Sequence, residues 1–182
     1  MCYMKLDRIN IPVFLLILLW TVSLVIVPFM IPSSYIHNLT GSSWAIDNFN
    51  QFSPMNIYPK VVYLIGDITC HQIAERSYYF NDNQMAVCSR CFGIYLGILI
   101  GMGVALIRKI NLTGKFVVIV LLSVVPLGID GTGQLFGYWV SNNTLRLITG
   151  LLAGTGVGAA FVVSVVELQN IIQLIKKALY SN

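Results

Sequence analysis

The chain has 182 residues, of which 57% are hydrophobic and only 10% charged, and its formal net charge is +4. Soluble domains devote about a quarter of their residues to charge, so a mean hydropathy of +0.78 excludes an ordinary soluble domain and indicates an integral membrane protein. The length limits it to one compact bundle, and the basic residues flank apolar runs instead of forming a stripe, which excludes a nucleic-acid face.

Four apolar segments are long enough for the roughly 20 helical residues that cross about 30 Å of hydrocarbon. The first covers residues 11–31 without a charge and without a small-residue cleavage site, so it reads as an anchor and not a signal peptide. Residues 32–85 then read as a long outer loop, in which Val61 to Thr69 is apolar but too short to span and carries Cys70 to the membrane surface as a half-buried or re-entrant piece. The second span covers 86–107 and is closed by Arg108 and Lys109; the third covers 116–136 and is interrupted by Pro126 and Asp130; the fourth covers 145–166. Residues 167–182 repeat apolar positions at helical spacing, with Lys176 and Lys177 near the end, and read as an interfacial helix. The expected fold class is all-α: one polytopic membrane domain of four transmembrane helices.

Charge orients the bundle. Lys5, Arg8, Arg108, Lys109, Lys115, Lys176 and Lys177 fall on one side, and only Lys60, Arg76, Arg90 and Arg146 on the other. The excess of lysine and arginine inside places both termini in the cytoplasm of a cell-membrane protein. The 32–85 loop and the short loop from Gly131 to Thr144 then share the outer face. Gly93, Gly97 and Gly101 in the second span, and Gly150, Gly154 and Gly158 in the fourth, repeat a small residue every fourth position. Such stripes let membrane helices approach closely, so helices two and four are expected to pack along them, with Arg146 near Ser89 and Arg90.

Chemistry concentrates where the second span begins, at Cys70-His71 and Cys88-Ser89-Arg90-Cys91. With Cys2 inside, three cysteines remain outside, an odd number that one chain cannot pair completely. Cys88 and Cys91 are spaced to chelate one ion, and Cys70, with His71 as fourth ligand or as a neighbour of the ligands, completes a set suited to zinc. Adjacent ligands strain at one ion, so Asp67, Asp82 or water are alternatives for the fourth position. Left open, that position makes the site catalytic; closed, it makes it structural. The start of a helix also lowers thiol pKa values, which serves redox chemistry equally. An outward Cys-x-x-Cys on four helices is similar in architecture to membrane thiol oxidoreductases that pass electrons to quinone, although a second matching cysteine pair is missing. A histidine followed by Cys-x-x-Cys is also part of the zinc deaminase signature, but Gln72 stands where that chemistry needs a glutamate, so this reading is excluded.

Asp130 lies in or beside an apolar helix, where an ionisable group needs a partner or a watery cavity. Either it forms a buried pair with Arg146 that locks helices three and four, or the two residues line a polar pocket where Arg146 holds an anion and Asp130 handles a proton. Gln134 shares a face with Asp130 if the helix continues past Gly131 and Gly133.

The run Cys70-His71-Gln72, Arg76-Ser77 and Cys88-x-Arg90-Cys91-x-Gly93-Ile94-Tyr95-x-Gly97, together with Asp130-Gly131-x-x-Gln134-x-x-Gly137 and Asn143-x-x-Arg146-x-x-Thr149-Gly150, resembles the prokaryotic membrane proteins grouped as domain of unknown function 2085. The resemblance implies a polytopic membrane protein whose polar positions belong to one pattern. It implies no reaction. The residues themselves favour a zinc-dependent membrane enzyme acting on a lipid headgroup or lipid-linked substrate, with Cys70, Cys88, Cys91 and His71 around the metal, Arg146 on the anion, and Asp130 as base or as the group that orients Arg146. The alternatives are a thiol-disulfide oxidoreductase using Cys88 and Cys91, and a non-enzymatic module in which zinc staples the outer loop. The bilayer is the expected partner, with a second membrane protein or a second copy as further candidates.

Overall fold

The structure is a computed structural model that describes residues 3–42, 44–108 and 110–180. Cys2, Lys109 and the side chains of Lys5 and Arg8, which entered the orientation argument, lie outside what is described. Helix α1, Tyr3–Ile26, passes into a short 3-10 turn, Val27–Phe29, with Pro28 at its start. Helices α4 (Ser89–Ile107), α5 (Gly114–Leu135) and α6 (Asn143–Tyr180) form the rest of the bundle. Four stretches, Ile9–Phe29, Ser89–Ile107, Gly114–Leu135 and Asn143–Leu179, are long and apolar enough to cross a membrane. The fold is that of an all-α polytopic membrane protein.

Two elements differ from expectation. Pro126, Gly128, Gly131 and Gly133 do not break α5, which is continuous to Leu135 and therefore places Asp130 and Gln134 one turn apart on one face. The tail from Glu167 is not a separate helix either. Nothing between Val166 and Leu179 is a glycine, a proline or a cap, so α6 propagates for 38 residues. At 1.5 Å per residue that is about 57 Å, well beyond the hydrocarbon thickness.

The segment expected as an outer loop is a folded cap. It holds α2 (Phe49–Phe52), α3 (Ile57–Thr69), a 3-10 turn (Ala74–Arg76) and a small antiparallel hairpin in which β1 (Tyr79–Phe80) pairs with β2 (Asn83–Gln84). Asn81 and Asp82 close the hairpin with φ of +51° and +55°, the left-handed pair that a tight two-residue turn needs and that these residue types tolerate. Leu24 from α1, Val27 from the turn after it, Ile36, Leu39, Phe52, Tyr63, Met85 and Val87 make one apolar core. Amides supply the rest. Asn83 accepts from the Tyr35 and Ile36 N–H groups and donates to the Pro28 and Pro32 carbonyls. Gln84 accepts from the Leu39 N–H and donates to the Gln72 carbonyl, and Gln72 donates to the Ala86 carbonyl. These irregular segments have few ladder partners, and buried side-chain amides satisfy their backbone groups instead.

In the bundle α6 lies between α4 and α5. A carbon added at Gly93, Gly97 or Gly101 would run into the carbonyls of Leu147, Leu151 or Thr155, and one at Gly150, Gly154 or Gly158 into those of Arg90, Ile94 or Ile98. Backbone meets backbone along this seam. Helix α1 completes the far half of the bundle, where Val13, Phe14 and Ile17 pack on Met102, Ala105 and Val162.

Candidate metal centre

Cys70 follows the last residue of α3 in an extended conformation, and Cys88 stands just ahead of α4 in another. Gly66 sets their relative height, because its missing side chain lets α3 lie directly against the Ala86 carbonyl. The Cys88 N–H then donates to Cys70 Sγ at 3.2 Å. Cys91 rises from the first turn of α4. The three sulfurs lie within 4.8 Å of one another, with Cys70 and Cys88 buried and Cys91 partly so. This proximity is compatible with binding one metal ion.

The electrostatics favour anionic sulfur at Cys88. Its thiol is pulled well below the usual cysteine value, first by hydrogen bonds from Cys70 and Cys91, then by one from His71. The Cys70 thiol is pushed up to about 11, chiefly because it is the donor to Cys88. The positive end of α4 acts in the same direction on Cys88.

His71 is near but is not one of the grouped ligand atoms. Its Nδ1 accepts the Ile73 N–H at 3.2 Å. His71 is also a hydrogen-bonding neighbour of the Cys88 thiol, so it borders the three sulfurs. The carboxylates named as alternatives are engaged elsewhere. Asp67 accepts from the Asp47 and Asn48 N–H groups and from the Asn48 side chain; Asp82 accepts from Ser33 at an exposed site.

Beside the cysteines a chain of polar groups ties together α4, α5 and α6. Asp130 pairs with Arg90, not with Arg146. The same carboxylate accepts from Gln134 at 3.0 Å and from Trp139 at 3.4 Å. Gln134 in turn accepts from Arg146 at 2.8 Å, and Arg146 also donates to Asn143, which accepts from Ser89. The expected Asp130–Arg146 contact is therefore relayed through Gln134. Sequence reasoning missed Arg90 as the partner of Asp130, having placed it beside Arg146 instead. The available signal was its position, since Arg90 starts α4 where Arg146 starts α6 and both ends face the end of α5. Nε of Arg90 and Nε of Arg146 are buried without an acceptor. A donor stripped of water without a partner costs about 1–3 kcal/mol. A cavity of about 290 Å³ opens against this network, lined by Pro126, Ile129, Asp130, Trp139, Leu145 and Thr149.

Fold and site together define a polytopic membrane protein with a three-cysteine centre where the cap meets the bundle. The chain belongs to the family described as predicted membrane protein (DUF2085), whose model matches residues 70–160. That match covers every cysteine of the centre together with Asp130 and Arg146. The chain is 42% identical over 97 residues to an uncharacterised protein of Methanocaldococcus jannaschii, covering 51% of this chain and 61% of the relative. It is 46% identical over 87 residues to an uncharacterised protein of Methanothermobacter thermautotrophicus, covering 48% of this chain and 78% of that relative. No solved structure matches the chain.

Proposed function

We propose that the protein is a zinc-dependent membrane enzyme acting on a lipid or lipid-linked substrate, with the cap on the extracytoplasmic face and both termini in the cytoplasm. The observation that carries this reading is the trio of Cys70, Cys88 and Cys91 sulfurs within 4.8 Å of one another. Three thiolates without a fourth protein ligand leave a position for water or substrate, the pattern of a catalytic and not a structural ion. Zinc held there would supply a Lewis acid that polarises a substrate oxygen or acidifies water.

The chain's own residues divide the remaining work. His71 keeps the Cys88 sulfur anionic and oriented. Arg146 supplies fixed positive charge for an anionic substrate group, and Gln134 and Asn143 hold its guanidinium in place. Asp130 is a positioning residue in this scheme. Its oxygens accept from Arg90, Gln134 and Trp139, which leaves it poorly suited to serve as a base.

A second reading, zinc as a staple between cap and α4, draws on the burial of Cys70 and Cys88, each 2% exposed. Metal analysis and thiol counting on protein purified without reductant test both readings. The expected result is near-stoichiometric zinc that Cys88→Ser or Cys91→Ser abolishes. A Cys88–Cys91 disulfide with no metal overturns the zinc reading in favour of thiol redox chemistry. Metal-free protein that stays folded while turnover of a lipid substrate stops favours catalysis; metal-free protein that loses its cap structure favours the staple.

A further inference from the structure

We infer that Arg76, Arg90 and Arg146 form a binding site for a phosphate group presented at the membrane surface. The inference deepens the proposed function by naming the chemistry of its anionic substrate group, and it rests on that reading for the placement of the site beside the metal centre.

Charge makes the first argument. Arg76 and Arg90 are the cationic neighbours of Arg146, and Asp130 and Cys88 the anionic ones. Among the described residues the one ion pair is Arg90 with Asp130. Arg76 and Arg146 have no carboxylate partner there, although Arg146 is 97% buried, being 3% exposed. Three thiolates around a dication would add one net negative charge, so with the metal in place Arg146 would still have two guanidinium neighbours against Asp130 and that single charge. A buried guanidinium without a counter-charge is unfavourable, and a bound anion resolves it.

Donor geometry makes the second. The two Nη atoms of Arg146 are engaged by Asn143 and Gln134, and Nη2 of Arg90 by Asp130. Nε of each is buried with no acceptor. Both side chains are thus held rigidly by neutral or anionic neighbours while each keeps an unused, already dehydrated donor. Pre-positioned, neighbouring guanidinium groups that each keep a free donor suit a multi-oxygen anion such as phosphate in shape and charge. Arg90 keeps 23% of its side chain exposed, and Arg76 is half-buried, so the cluster is reachable from outside the bundle.

Depth makes the third. Arg90 and Arg146 stand in the first turns of α4 and α6, each at the start of a membrane-crossing stretch. The neighbouring loop exposes Phe136, Tyr138 and Trp139, the residue types that collect where the bilayer meets water. That level is where lipid phosphates lie, and the positive ends of two helices add to the field.

Calorimetry on the zinc-loaded full chain in a phosphate-free maltoside detergent tests the site. One arm titrates inorganic phosphate and the other a short-chain phosphatidic acid. Saturable binding in either arm is expected, and binding confined to the phosphatidic acid arm assigns the group to a lipid. Arg146→Gln and Arg90→Gln are each expected to weaken binding about tenfold, the loss of one charge-assisted hydrogen bond. Arg76→Gln, at a half-exposed position that leaves the packing intact, is expected to weaken it about threefold and serves if the buried variants fail to fold. No binding in either arm by protein that contains zinc, or binding unchanged in the folded variants, overturns the phosphate site and leaves the metal centre standing. Phosphate binding retained by protein that holds no zinc overturns the metal reading and leaves the phosphate site standing.

Discussion

Helix α6 is held by α4 on one side and by α5 on the other, and the two contacts are built differently. Against α4, six glycines in two facing rows bring carbonyl oxygens to where side chains would stand. Against α5, Gly156 meets the hydroxyl of Ser123, the polar chain from Asp130 to Arg146 joins the cap-side ends, and toward the opposite end of α5 a largely apolar cavity of about 710 Å³ opens among α4, α5 and α6. Only 11% of the apolar window of α5 is buried within the protein, compared with 33% for α6. Lipid tails are as apolar as leucine side chains, so contact area alone does not drive these helices together. Close backbone packing fixes α4 to α6, whereas α5 depends on a few polar contacts at one end. The centre exploits the rigid side: Cys91, Arg90 and Arg146 stand on the two helices that cannot slide, and Cys88 caps the start of α4.

The strongest test of this contrast fills the tight seam. Gly154→Leu would place a branched side chain against the carbonyl and Cα of Ile94, which are backbone atoms that cannot rotate away. Overpacking of this kind costs about 3 kcal/mol, and separating the helices also pulls Ser89 from Asn143. Reversible unfolding in mixed micelles should show that loss, with a fall in thiol protection at Cys88. If the variant unfolds like the wild type, the two backbones are not in contact and the rigidity argument fails.

What could be read in advance was whatever the chain states locally. The apolar runs are long, continuous and flanked by charge, so the number of helices follows from hydropathy. The cysteines announce themselves by type, and Cys88 and Cys91 are close simply by being three residues apart at a helix start. The partner of Asp130 depends instead on how α4 and α5 are rotated about their axes, and an arginine inside a Cys-x-x-Cys gives no sign of reaching another helix. The cap was illegible for another reason. Its order comes from Gln72, Asn83 and Gln84, whose amides reach backbone groups as far away as Pro28, and such bonds have no sequence period. Only Asn81-Asp82, a pair suited to a tight hairpin turn, marked locally that the segment folds.

The polar end of the looser contact comes next in size. Asp130→Ala removes the acceptor shared by Arg90, Gln134 and Trp139. Breaking a fully buried pair by deleting one partner costs about 3–5 kcal/mol. Here Arg90 retains 23% exposure and can turn partly to water, so a loss of about 2 kcal/mol is expected. The loss should be confined to α5: hydrogen exchange should quicken over Gly114–Leu135 and stay slow along α4 and α6. Uniform quickening across the three helices would mean that α5 is as tightly bound as α4 and that the contrast is false.

The smallest effect carries the opposite sign. Gly128 lies within α5, and a carbon added there meets nothing within 4 Å. A helical glycine without a packing role is a net weakness, since it leaves the unfolded backbone more freedom than alanine does and costs about 0.5–1 kcal/mol in the middle of a helix. Gly128→Ala should therefore raise stability by about 0.5 kcal/mol, while alanine at Gly154, where the added carbon meets the Ile94 carbonyl, lowers it. The same substitution thus reads the two sides of α6 separately, because helix propensity is equal at both positions and only the neighbouring backbone differs. A gain at both positions would remove the steric basis assigned to the α4–α6 seam; a loss at both would show that a neighbour occupies the lipid-facing side of α5 after all.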